Sequence, residues 1–220
     1  MARIARVVVP HYPHHVTQRG NRRQQVFFNE TDYQLYLDYL SKALQNNATE
    51  IWAYCLMPNH VHLVIVPKNE DGLRATLGET HRRYTRHVNF REGWRGHLWQ
   101  ERFASFVMDE AHLLAAVRYV ELNPVRANLC TQPEHWRWSS TRAHLDGKDD
   151  GVVTVRPMME RIPNWKDYLS VDDTERLDRL RKHQRTGRPL GNEAFLDHLE
   201  AMLGRRLRPK KPGPKKRVKS

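Results

Sequence analysis

The sequence predicts an α+β fold: a ferredoxin-like split β-α-β core with a central antiparallel sheet, then a mostly helical C-terminal extension and a basic tail. Three observations predict it. Strand and helix signals run strand, helix, strand, strand, helix, strand over residues 14–108. The apolar, β-branched run from Val61 to Val66 reads as a central strand covered on both faces. A third helix follows the last strand directly, with apolar residues at helical spacing.

Taken in order, His14 to Arg19 alternates as a first strand and is ended by Gly20-Asn21. Arg19, Arg22 and Arg23 crowd the loop that follows. Thr31 or Asn29 caps a helix running to about Asn46, with Leu35, Tyr36, Tyr39, Leu40, Ala43 and Leu44 at helical spacing. Glu50 to Met57 is a second strand, and Pro58-Asn59 turns tightly into the third. Residues 71–90 form a second helix carrying Arg74, Arg82, Arg83 and Arg86; this basic face suits phosphate as well as solvent. Gly93 and Gly96 mark a loop before a last strand, Phe103 to Met108. Asp109 caps the third helix, whose stripe Leu113, Val117, Val120 is buried.

Beyond that core the signals thin. Residues 141–170 read as loop-rich, Asp172 to His183 as a short charged helix, and Asn192 to Leu203 as a capped helix stopped by Gly204. Gly187-Arg188-Pro189 is a tight basic turn able to enter a minor groove. The expected divisions are residues 1–145, 146–204 and 205–220.

The chain has 220 residues, a net charge of +12 and a mean hydropathy of −0.78. That balance points to a polyanionic partner. Nine of the positive charges, among them Lys210 and Lys211, lie in residues 205–220 without any acid, leaving +3 for the rest. Such a tail suits nonspecific contact with nucleic acid. Cys55 and Cys130 lack any CxxC spacing and are expected as free thiols in a reducing compartment. No apolar run of about 18 residues exists, so a cytoplasmic, nucleoid-associated protein without membrane contact is expected.

The candidate chemistry begins at the head of the third strand. His60 and His62 are two apart, so they share a face and can give two nitrogen ligands to one metal ion. On the third helix, His112, Ala116, Tyr119 and Asn123 form a second stripe beside the buried one. A tyrosine hydroxyl can attack a phosphodiester, and a divalent ion on the histidines can orient the phosphate. Asn123 is a candidate third ligand. It precedes Pro124 and equally suits the N-cap of a short helix Pro124 to Leu129, in which case His112, His14 or His15 could replace it.

Five ordered blocks carry a resemblance: His14-His15-Val16-Thr17-Gln18-Arg19-Gly20-Asn21, Met57-Pro58-Asn59-His60-Val61-His62-Leu63, Leu98-Trp99-Gln100-Glu101-Arg102-Phe103, Arg118-Tyr119-Val120-Glu121-Leu122-Asn123-Pro124-Val125-Arg126-Ala127 and Trp138-Ser139-Ser140. Together they resemble the single-tyrosine HUH transposases, most closely the REP-associated branch, over residues 10–145. The resemblance implies that His60 and His62 are the metal ligands of the HUH motif and that Tyr119 is the nucleophile. Asn123 stands where the parent group usually carries glutamine. It further implies Mg²⁺ or Mn²⁺ as cofactor, and as partner a single DNA strand folded into a REP-like hairpin beside a short tetranucleotide. It implies a monomer rather than a helix-swapped dimer. Expected DNA contacts are Arg19, Arg22, Arg83, Arg86, Arg188, Lys210 and Lys211. The function so implied is metal-dependent cleavage and strand transfer through a 5′-phosphotyrosine. Two other readings of the same residues are a non-catalytic hairpin-binding protein and a phosphodiesterase that uses water in place of Tyr119.

Overall fold

The computed structural model describes residues 4–171 and 174–209. Lys210 and Lys211 lie outside the described residues, as does most of the basic tail. Strand β1 (His14–Arg19) leads through a short turn into helix α1 (Glu30–Asn46), then strands β2 (Thr49–Met57) and β3 (His60–Pro67), helix α2 (Gly72–Glu92) and strand β4 (Ala104–Val107). The sheet order is β2-β3-β1-β4, with every neighbouring pair antiparallel. The histidine strand β3 is therefore internal, as its unbroken apolar run requires.

Local chemistry explains the boundaries. Of the two possible caps on α1, Asn29 is the one used: its side chain accepts from the backbone N–H of Asp32 at 3.0 Å. The buried stripe of α1 is Tyr33, Tyr36, Leu37, Leu40 and Leu44, so Leu35 turns toward the flank. Asp32 is fully buried on α1 and is matched by Arg91 at the end of α2, with Nη2 3.1 Å from Oδ2. Gly93 closes α2 in the left-handed region at φ 66°, the position where a glycine has no Cβ penalty.

The two faces of the sheet are covered differently. Val61, Leu63 and Ile65 of β3 pack with Val16 under α1 and α2. His60, His62 and Val64 alternate to the opposite face. That face is roofed by helix α3 (Glu110–Glu121), which seats Leu113, Ala116, Val117 and Val120 on Val64, Ala53, Cys55 and Phe106. Asp109 caps α3 by accepting from His112 N–H at 3.0 Å. A one-turn helix α4 (Asn123–Arg126) follows, shorter than the sequence suggests and entered from Leu122.

The stretch 141–170 is more ordered than its composition suggests. It holds short helices α5 (Thr141–Asp146), α6 (Arg156–Met159) and α7 (Trp165–Ser170). A buried carboxylate organises them. Glu121, the last residue of α3, accepts from Ser140 Oγ at 2.6 Å, His144 Nδ1 at 2.7 Å and Trp165 Nε1 at 2.8 Å. Helix α8 (Thr174–Thr186) then lies across α3 and β4, with Leu180 fully buried. Helix α9 (Glu193–Leu203) packs Leu199 on Val7 and Val9 and ends at Gly204.

Candidate functional site

The site lies where β1, β3 and α3 meet. Cross-strand register places Thr17 opposite His62 and Arg19 opposite His60. Directly paired residues share a face, so all four side chains point toward α3. From above, Tyr119 sits edge-on to His62, ring centroids 5.3 Å apart at 85°, and edge-on to His15 at 6.0 Å. His60 and His62 are themselves 4.8 Å apart at 78°. The sequence-predicted pair and the predicted nucleophile are thus neighbours, although 57 residues separate His62 from Tyr119.

Each imidazole is held from behind. His60 Nδ1 lies 2.6 Å from Asn59 Oδ1, an acceptor, so Nδ1 carries the proton and Nε2 keeps its lone pair. His62 Nδ1 contacts His15 Nε2 at 3.1 Å and Thr17 Oγ1 at 3.3 Å. His62 Nε2 is buried without any hydrogen-bond partner. Burial holds the His60 ring far below its usual pKa, down to about 3, with the Arg19 charge adding to it. Burial chiefly, then His60, His15 and Arg19, pushes His62 down as well. Both rings are therefore neutral at physiological pH, the form that binds metal.

These residues fit a divalent ion. Two neutral imidazoles, one with an orphaned Nε2, are nitrogen donors of the right kind. No group of three His, Cys, Asp or Glu side chains converges on one point among the described residues, so the set needs a different third donor. Asn123 sits one turn below Tyr119 and donates its Nδ2 to the Tyr119 carbonyl at 3.1 Å, leaving the amide oxygen as the end suited to a metal. The other candidate histidines are occupied. His14 points to the opposite face, bonded to the Val9 N–H and the Tyr12 carbonyl. His112 is paired with Asp109 at 2.6 Å, and His15 backs His62.

In front of Tyr119 opens a polar cavity of about 510 Å³. Arg19, Arg23 and Arg102 line it from the sheet side, and Arg181, Gln184 and Arg185 of α8 line the far wall. Such a cationic chamber suits a phosphate backbone. Arg23, Arg102, Arg181 and Arg185 were not among the contacts expected from the sequence; the spacing of Arg181 and Arg185, four apart on a helix, is the signal that could have found the last pair. Of the predicted DNA contacts, Arg19 enters this chamber. Arg22 is exposed in the adjoining turn, at a left-handed φ of 52°. Arg83 pairs with Glu79 at 2.6 Å and Arg86 lines a separate cavity on the α2 side. Arg188 is turned inward and donates to the Leu207 carbonyl.

This fold has a solved counterpart. The structure of a REP-associated tyrosine transposase bound to a REP hairpin superposes with a TM-score of 0.58 at 22% identity, covering 70% of this chain and 90% of that one. Family membership comes from the sequence: the family described as IS200-like transposases matches residues 8–123, and the chain belongs to it. A curated relative, the REP-associated tyrosine transposase of Escherichia coli (strain K12), is 25% identical over 121 residues, which cover 54% of this chain and 70% of the relative.

Proposed function

We propose that the protein cleaves and rejoins single-stranded DNA at REP-like hairpins, with Tyr119 as the nucleophile. The observation that carries this reading is the edge-on contact of Tyr119 with His62 inside an arginine-walled cavity. In the reaction, Tyr119 Oη attacks the scissile phosphorus. The Oη–P bond forms as the P–O3′ bond breaks, and the phenolic proton ends on the released 3′ oxygen. The product is a 5′-phosphotyrosine and a free 3′ hydroxyl, so the energy of the phosphodiester is kept for rejoining.

His60, His62 and the Asn123 oxygen would hold Mg²⁺ or Mn²⁺. When bound, such an ion supplies charge neutralisation at the non-bridging phosphate oxygens. The protein's own groups do the rest. Arg19, Arg23 and Arg102 bind the phosphates on either side, and Arg181 and Arg185 of α8 face them across the chamber. The α3 backbone, tied down through Glu121, fixes where the phenol stands. The hairpin bound by the REP-associated transposase of like fold supports a hairpin as substrate. The flanking tetranucleotide, the monomeric state and the place at the nucleoid rest on the family resemblance alone. The test is whether a labelled hairpin strand with Mn²⁺ yields a covalent adduct that depends on the Tyr119 oxygen.

A further inference from the structure

We propose that a second cavity, between α2 and the loop 97–103, receives one unstacked nucleobase of the DNA strand. The proposal rests on the single-stranded DNA reading above. The cavity holds about 560 Å³, inside the range of about 300–1,000 Å³ for small-ligand sites. Its floor is aromatic and apolar: Trp99, Leu98 and Phe103 are buried there, and the His81 ring lies 4.7 Å from the indole of Trp99. Its rim is cationic. Arg74, Arg82 and Arg86 all lie along one stripe of α2 at helical spacing, and Arg102 faces them from the loop. An apolar floor under a guanidinium rim matches a base with phosphates on either side.

Two features of the walls have no use in the protein alone. The fourth member of that α2 stripe is Gly78, in mid-helix, where a glycine costs stability relative to alanine. A Cβ added there would meet nothing within 4 Å, so packing does not demand the glycine; what it does is leave the cavity open. The indole Nε1 of Trp99, a residue only 8% exposed, is shielded from water with no acceptor. A buried donor without a partner is unfavourable. The ring carbonyl of a seated nucleobase becomes its acceptor once the Trp99 ring turns Nε1 to the cavity surface.

The cavity is also connected to the chemistry. Gln18, Glu101 and Arg102 line both this cavity and the one in front of Tyr119. A strand whose phosphate lies at Tyr119 can therefore cross that shared wall and place a nearby base under α2. Leu98, Trp99 and Phe103 of that block, which the catalytic reading leaves unused, then build the base pocket.

The test uses the full chain and two fluorescein-labelled 20-mers in anisotropy titrations, one of mixed sequence and one fully abasic with the same phosphates. Wild type is expected to prefer the base-bearing strand by about 5- to 150-fold, the range for one stacked base. Gly78→Leu fills the cavity from a helix position that tolerates it, so its melting temperature should equal or exceed wild type. It should keep abasic affinity and lose most of the preference. Trp99→Phe removes the donor together with part of the ring, and should weaken the base-bearing strand by about 5- to 10-fold, with abasic affinity reporting whether the fold is kept. A folded Gly78→Leu with undiminished preference overturns the pocket, as does equal binding of both strands by wild type. Failure of wild type to bind either strand instead overturns the single-stranded DNA reading.

Discussion

His15 Nε2 stands 3.1 Å from His62 Nδ1, with the two rings stacked 5.3 Å apart within 4° of parallel. Burial holds His15 at about 3 and His62 also far below its usual pKa, so neither ring carries a second proton at neutral pH. One proton therefore lies between two ring nitrogens. Placed on His62 Nδ1 and accepted by His15, it leaves His62 Nε2 as a bare lone pair, the atom that has no partner in the protein. The His15 proton then sits on Nδ1, which Gln184 of α8 approaches at 3.5 Å. The amide completes the chain from the extension to the candidate ligand when it turns its oxygen, the accepting end, to that N–H.

The first prediction tests that chain. His15→Ala removes the group that fixes the His62 tautomer while leaving both candidate ligands in place. Mn²⁺ affinity, read by loss of the free-ion electron paramagnetic resonance signal, should fall by about 10- to 100-fold. Nitrogen chemical shifts of His62 should move from one dominant tautomer toward a mixture. Unchanged affinity with an unchanged tautomer would remove His15 from the site.

What could be read in the sequence was local. The span of β1, the caps at Asp109 and Asn192, and the stop at Gly204 follow from nearest neighbours along the chain, and the structure has them there. The shared face of His60 and His62 follows from strand periodicity, and Tyr119 was reachable because α3 follows β4 without a break. The His15–His62 contact was not legible, because it depends on the register Thr17↔His62, which no short window contains. Nor was the approach of Gln184 and Arg185, which rest on how α8 docks 169 residues beyond His15. The Glu121 cluster was hidden for the same reason: its donors are Ser140, in the last of the five blocks, and His144 and Trp165, in a stretch whose composition reads as loop.

That cluster gives the second prediction. Glu121, Ser140 and His144 are fully buried, and Trp165 is 3% exposed. Glu121→Ala would leave three buried donors unmatched at once. A loss of about 3–5 kcal/mol of stability is expected, the range for breaking a buried charged network. Glu121→Gln should recover only part, since its NH₂ faces a donor. Both variants should also cleave poorly, because Glu121 anchors the end of the helix that carries Tyr119. Urea denaturation followed by circular dichroism measures the first effect, and a midpoint matching wild type would contradict it.

The third prediction concerns pH. His14 is buried and His81 half-buried, both away from the candidate metal ligands, and loss of solvation lowers them from 6.5 to about 4 and about 3. The unfolded chain therefore binds protons that the folded chain refuses. Stability is fully present above about pH 6.5 and falls as pH drops from there toward the folded values. Each histidine contributes at most about 1.4 kcal/mol per pH unit within that window. Melting temperature should be flat above pH 7 and decline toward pH 4. His81→Gln keeps a partner for the Tyr36 hydroxyl and should shallow the decline. An identical slope in the variant would show that His81 titrates normally.

The last prediction separates the three readings of the site. Tyr119→Phe removes one oxygen and keeps the ring against His62 and His15, so packing and DNA affinity should barely change. Cleavage by attack of that oxygen should vanish, and with it the covalent adduct. The assay is a denaturing gel of protein with a labelled REP-like hairpin strand in Mn²⁺, with His60→Ala as a companion. Wild type should give a shifted band that survives boiling and disappears on protease treatment. Neither variant should give it, for different reasons: one lacks the nucleophile and the other a metal ligand. Rescue by raised Mn²⁺ should therefore be confined to His60→Ala. Cleavage by both wild type and Tyr119→Phe without any adduct would mean that water does the attacking, and tight binding without cleavage by either would mean that the scaffold only holds the hairpin.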